Sequence, residues 1–151
     1  MKAPDLAAVL ANMTEHQSRL RALLETFDRE TLATRPPGGD WSATENIRHA
    51  FYAEQHHLGL YIPGGLGLSP LGLPQGAHAH VRGDDPRTDL PAVFDEWTRV
   101  HAEVCEKLDL AIPWMAIQVP RLMRHQQQHA RAAARALSQI TGQPVRLPRA
   151  T

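Results

Sequence analysis

His125 and His129 are the residues of this chain best spaced for chemistry. On a helix, side chains four positions apart share a face, so both imidazoles can reach one metal ion. With nine histidines in 151 residues such a pair also arises readily by chance. The spacing therefore leaves two readings open: a ligand pair, or two core histidines whose ring nitrogens are satisfied by neighbours. A metal reading needs a third ligand. The segment Trp41-Ser42-Ala43-Thr44-Glu45-Asn46-Ile47-Arg48-His49 offers His49.

The other candidates are weaker. His101 stands in line with Trp97, Val104 and Leu108, which turns it inward as a fourth ligand, a general base or a hydrogen-bonded core residue. His49 lies with Ala53, His56 and Leu60, beside the main apolar stripe of its own helix. His16 reads as a core residue, while His56, His57, His78 and His80 carry no assigned role. Cys105 is flanked by Glu103 and Glu106, an acidic setting that raises a thiol pKa and suits a structural residue. No phosphate-binding glycine loop and no nucleophile elbow is present.

These residues need helices to position them. Leu6, Leu10, Met13, Leu20, Leu24 and Phe27 recur at helical steps, predicting a helix over residues 4–27 with Pro4 in its first turn. After Pro36-Pro37-Gly38-Gly39, Ser42 and Glu45 form a capping box that starts a second helix, with Ile47, Phe51, Leu58 and Tyr61 on one stripe and a stop before Pro63. Residues 63–88 are rich in Gly and Pro yet hold Leu66, Leu68, Leu71, Leu73 and Val81, so this segment should fold back onto the helices. Thr88 or Asp89 caps a third helix that carries Phe94 and Trp97 and ends near Ile112-Pro113. A connection over residues 114–120 then leads to the fourth. There Leu122, His125, His129, Ala132, Ala133, Ala136 and Ile140 define the inner face, Arg124, Gln128, Arg131 and Arg135 point away, and Gly142 caps the end. No sustained strand alternation appears. The expected fold is an all-α four-helix bundle over residues 1–151, a single domain with a long Gly/Pro-rich loop between helices two and three.

Composition removes some functions. Sixteen basic and sixteen acidic residues balance, so no net field draws the chain to nucleic acid or to an anionic membrane. One cysteine excludes an internal disulfide and fits a reducing compartment such as the cytoplasm. No apolar run is long enough to span a bilayer, and the N-terminal residues lack a signal core.

Two segments carry a resemblance to a known family. Trp41-Ser42-x-x-Glu45-x-x-x-His49 resembles the opening of the second helix in the DinB-like superfamily of metal-binding four-helix bundles, and His125-x-x-x-His129 resembles the ligand pair of its last helix. That superfamily includes bacillithiol S-transferases and relatives of mycothiol-dependent isomerases. Two features depart from its pattern: Ala130-Arg131-Ala132-Ala133 follows the pair in place of an Arg-Gly-Gln run, and the 63–86 loop is atypical. The resemblance implies that His49, His125 and His129 bind a divalent metal, with zinc expected and nickel, iron or manganese as alternatives.

The expected function is a metal-dependent enzyme acting on a small-molecule substrate, either a hydrolase or an S-transferase using a low-molecular-weight thiol as cosubstrate, with His101 or a loop histidine moving a proton. The alternatives are a stress-associated metal-binding or dimeric scaffold protein without turnover, and a helical bundle with no metal. The resemblance implies a homodimer, for which Trp97, Trp114 and the loop leucines would supply apolar contact.

Overall fold

The computed structural model describes residues 5–76 and 80–148. They form five α-helices and no strand: α1 (Leu6–Leu24), α2 (Arg29–Ala33), α3 (Ala43–Gly59), α4 (Leu90–Lys107) and α5 (Met115–Thr141). The four long helices make a bundle in which α5 packs on α3 and α1, and α4 packs on the same two from the other side. Pro4 and His78 lie outside the described residues.

Each start has a local cause. The Asp5 carboxylate accepts from the Ala8 amide at 3.1 Å and opens α1. Ser42 and Glu45 complete the expected box, the Glu45 amide donating to Ser42 Oγ at 3.1 Å and the Ser42 amide to Glu45 Oε1 at 3.0 Å. The Arg35 guanidinium grips the same carboxylate with two hydrogen bonds, of 2.9 and 2.7 Å. Asp89 caps α4, preceded by a 3-10 turn at Pro86–Thr88. Phe51, Phe94 and Trp97 stack at the centre of the core, with centroids 6.2 and 6.0 Å apart.

The structure corrects several expectations. α2 is additional: five residues are too few to show a period, although Asp28, which accepts from the Thr31 amide at 2.8 Å, marks its start. α4 ends at Lys107 rather than near Ile112, because Leu108 turns extended (φ −70°, ψ 125°) to bury its side chain and Asp109 then caps the Ala111 amide at 2.9 Å. The 114–120 connection is instead the start of α5. Pro120 falls in its second turn, where its missing N–H leaves the rest of the hydrogen-bond ladder in place. Lastly, Trp97 is buried within this chain and is not available to a partner, whereas Trp114 is exposed.

The loop after α3 folds back as expected. Gln55 exchanges two hydrogen bonds with the Ser69 backbone, at 3.2 and 2.9 Å, and Arg48, itself buried, donates from Nε to the Leu71 carbonyl at 2.7 Å. Gly72 permits this approach, since a Cβ there would stand 2.7 Å from Gln55 Nε2 and 3.1 Å from Tyr52 Cβ. The consequence is positional: the Leu73 carbonyl is delivered to the side of His49.

Candidate metal centre

His49 comes from the second turn of α3, while His125 and His129 sit one turn apart in the middle of α5. Because α3 and α5 are neighbours, the three rings converge. Their centroids are 5.2 Å (His49–His125), 4.8 Å (His49–His129) and 4.5 Å (His125–His129) apart. One nitrogen from each lies within 4.8 Å of the others. Three nitrogens around a tetrahedral ion at its usual bond length stand about 3.3 Å apart, so closing on a cation requires each ring to shift by less than about 1 Å.

The hydrogen bonds around the rings decide which nitrogens are free. His49 Nδ1 donates to the Leu73 carbonyl at 2.8 Å, which fixes the tautomer and leaves the lone pair on Nε2. His129 Nδ1 lies 2.9 Å from Asn46 Oδ1. The Asn46 amide is itself oriented, because its Nδ2 donates to the Ser42 carbonyl at 3.0 Å, so oxygen faces the imidazole and His129 Nδ1 is the donor. His125 makes no side-chain hydrogen bond among the described residues, and its buried Nδ1 has no partner. Three neutral nitrogens are a donor set that divalent first-row metals accept.

Electrostatics favour the same state. Burial, reinforced by the neighbouring His49, His57 and Arg121, depresses His125 to about 4. Burial and then the adjacent His125 and His49 bring His129 to about 4 as well. Both are therefore neutral at pH 7, the form that binds metal.

A cleft of about 610 Å³ opens over the three rings. Trp41 forms one wall, its ring 5.1 Å from His49 and 6.2 Å from His129. Tyr52, His56 and His57 from α3 and Gln118 and Arg121 from α5 line the remainder. The Tyr52 and His56 rings stack at 5.3 Å, 9° from parallel.

A family model described as the DinB superfamily matches residues 12–142. The chain belongs to the DinB superfamily. No curated protein and no solved structure matches it. The match spans all four long helices of this DinB chain apart from the first turns of α1. Superfamily membership and the histidine cluster together fit a metal-binding protein.

Other sequence candidates fall elsewhere in the DinB bundle. His101 is buried on α4 outside the cleft, with Nδ1 2.6 Å from Glu54 Oε2 and Nε2 2.8 Å from Thr14 Oγ1. The Thr14 hydroxyl donates to the Leu10 carbonyl at 3.0 Å, so both nitrogens of His101 face acceptors, an arrangement that favours the imidazolium. Burial opposes that charge, but the Glu54 hydrogen bond and carboxylate outweigh it and raise the pKa. Cys105 is exposed, its Sγ 3.5 Å from His101 Nε2, and its thiol is pushed up first by burial and then by Glu54. His16 accepts from the Gln126 amide at 2.7 Å, and His80 contacts the Ala33 carbonyl at 2.8 Å.

Asn46, Arg48 and Glu54 were not singled out by sequence reasoning. Glu54 accepts from Gln17, at 3.3 Å, and from Trp97 Nε1, at 3.2 Å, besides holding His101. Their signal was polarity on the packed faces of a helix flanked on both sides.

Proposed function

We propose that this chain is a divalent-metal-dependent enzyme acting on a small molecule, as an S-transferase that uses a low-molecular-weight thiol or as a hydrolase. The observation that carries this reading is the convergence of His49, His125 and His129 at the floor of an open cleft. Three protein donors leave coordination positions free on the cleft side, the pattern of catalytic rather than closed structural sites. Zinc is the first expectation, with nickel, iron or manganese compatible with nitrogen donors.

When bound, a divalent ion supplies Lewis acidity that lowers the pKa of a thiol or water beside it. The residues of this chain supply the rest. Leu73 and Asn46 hold two imidazoles in the ligating tautomer, and Trp41 and Leu122 give the cleft apolar lining beside the histidines. His56 and His57 line the mouth, placed to take up the proton that such a thiol or water releases. His101 has both ring nitrogens engaged away from the cleft, so proton transfer is assigned to the cleft histidines.

Elemental analysis after reconstitution with limiting divalent metals tests the centre, using the parent beside His49→Ala, His125→Ala and His129→Ala. Near-stoichiometric metal in the parent, lost in each folded variant, is expected. Equal metal in all four would overturn the reading and favour a bundle without a centre. With the metal established, thiol plus an alkyl or epoxide electrophile is assayed against ester and amide hydrolysis; turnover dependent on thiol selects the transferase. Full metal occupancy without turnover in either assay would point to the non-catalytic alternative.

A further inference from the structure

The cleft above the histidines is lined by no carboxylate among the described residues. Its polar lining is imidazole, phenol, amide and guanidinium, with neither aspartate nor glutamate among the residues that form it. Arg87 and Arg99, both exposed, pair with acids, whereas exposed Arg124, Arg131 and Arg135 pair with none among the described residues and lie outside this cleft. Arg121 is exposed at the cleft and pairs with no carboxylate among the described residues. Next to it Gln118 is 7% exposed, borders the same cleft, and has no hydrogen-bond partner for its amide among the described residues. The Gln118 amide atoms are not themselves fully buried, so they are open to bond what enters the cleft.

Helix geometry orders these groups. His129, His125, Arg121 and Gln118 follow at steps of four, four and three, which keeps them on one side of α5. Arg121 is one turn, about 6 Å along the axis, from His125. A ligand lying along α5 therefore meets the histidines at one end and the guanidinium at the other.

We propose that the cleft selects a small carboxylate, held by the Arg121 guanidinium and hydrogen-bonded by the Gln118 amide, with its reacting group about one helical turn away at the three histidines. A single planar guanidinium matches a carboxylate with two parallel hydrogen bonds. A phosphate would call for the glycine loop or further cations that this cleft lacks. The assignment rests on the metal-centre reading for the place of the reacting group, but not for the recognition of the anion.

Two thiols of equal length, 3-mercaptopropionate and 3-mercapto-1-propanol, separate these claims. Protein is loaded with cobalt(II), its cobalt content is measured, and each thiol is titrated while the sulfur-to-cobalt absorption is followed. The carboxylate thiol should bind about tenfold more tightly, the scale of one charge-assisted hydrogen-bond pair. Arg121→Gln should erase that preference while leaving cobalt content and affinity for the alcohol unchanged. Equal affinities in the parent, or a preference that survives Arg121→Gln, would overturn the proposal. Failure to take up cobalt would instead sink the metal centre. The carboxylate site is then decided by glutarate binding to metal-free protein, followed by amide chemical shifts in the parent and in Arg121→Gln: saturable binding lost in the variant sustains it, and no binding, or equal binding, rejects it.

Discussion

Asn46 Oδ1 accepts the Nδ1 proton of His129 at 2.9 Å, tying the first turn of α3 to the middle of α5. The bond exists because the Asn46 amide is anchored on the Ser42 carbonyl, within the box that starts α3. A helix start thus sets the tautomer of a candidate metal ligand on another helix. Asn46→Ala should weaken metal binding about 10- to 100-fold, as loss of a supporting hydrogen bond does elsewhere. Asn46→Asp keeps the acceptor and should retain most of the affinity. Competition with a chromophoric chelator measures both, and equal losses in the two variants would refute the orienting role.

The second anchor lies on the loop. At Gly72 an added methyl would press on Gln55 Nε2 at 2.7 Å and on the Tyr52 backbone at 3.3 Å. Gly72→Ala should lift residues 69–73 from α3, at a cost of about 1–3 kcal/mol, and release His49 Nδ1 from the Leu73 carbonyl. Hydrogen exchange at the Leu73 amide, which donates to the Arg48 carbonyl at 3.0 Å, reports the lifting directly. Unchanged protection would show that the side chains of Gln55 and Tyr52 absorb the methyl.

Metal-free protein should lose stability on acidification. His125 and His129 titrate near 4 when folded, against 6.5 for the ordinary group. Between those values the unfolded chain binds protons that the folded one excludes, so stability falls as pH drops from 6.5 toward 4 and levels off below. Urea titrations across that range, on the parent and on a His125→Gln/His129→Gln protein, should show a shallower acid slope in the variant. An identical slope would mean that burial does not hold these rings neutral.

Much of the fold was legible because it rests on periodicity. The Ile47, Phe51 and Leu58 stripe is fully buried, Asp89 caps α4, and Gly142 ends α5 in the left-handed region at φ 70°. The exact inner face of α5 was not. Val119, Gln126, Ala130, Ala133 and Leu137 are its buried line, leaving His125, His129 and Ile140 on the flank. Alanines give a weak hydrophobic signal, so the larger residues beside them drew the expected face about one position round the helix. His49 shows the converse. It stands beside the apolar stripe yet is 8% exposed, because the returning loop covers it, and no period within α3 announces a loop more than twenty residues away. Paired polar residues in the core, such as Glu54 and His101, are equally silent, since each reads as a surface residue until its partner is placed.

That pair supplies the last test. Glu54 and His101 are both almost wholly buried, joined at 2.6 Å, and neither reaches the metal cleft. Removing the charge in Glu54→Gln leaves an imidazolium without its counter-charge and should destabilise the bundle by about 3 kcal/mol, the lower range for a broken buried pair. The pH signature is opposite to that of the cleft histidines. Because the folded His101 pKa is raised above 6.5, its stabilisation is complete below 6.5 and is lost as pH rises through the folded value. The parent should therefore weaken toward alkaline pH, and Glu54→Gln should show less of that decline from a lower starting stability. Metal content should stay at the parent's level in Glu54→Gln protein that remains folded. Urea denaturation at pH 6 and pH 9 with parallel elemental analysis checks both, and loss of metal in a folded Glu54→Gln protein would show that the buried pair is coupled to the cleft.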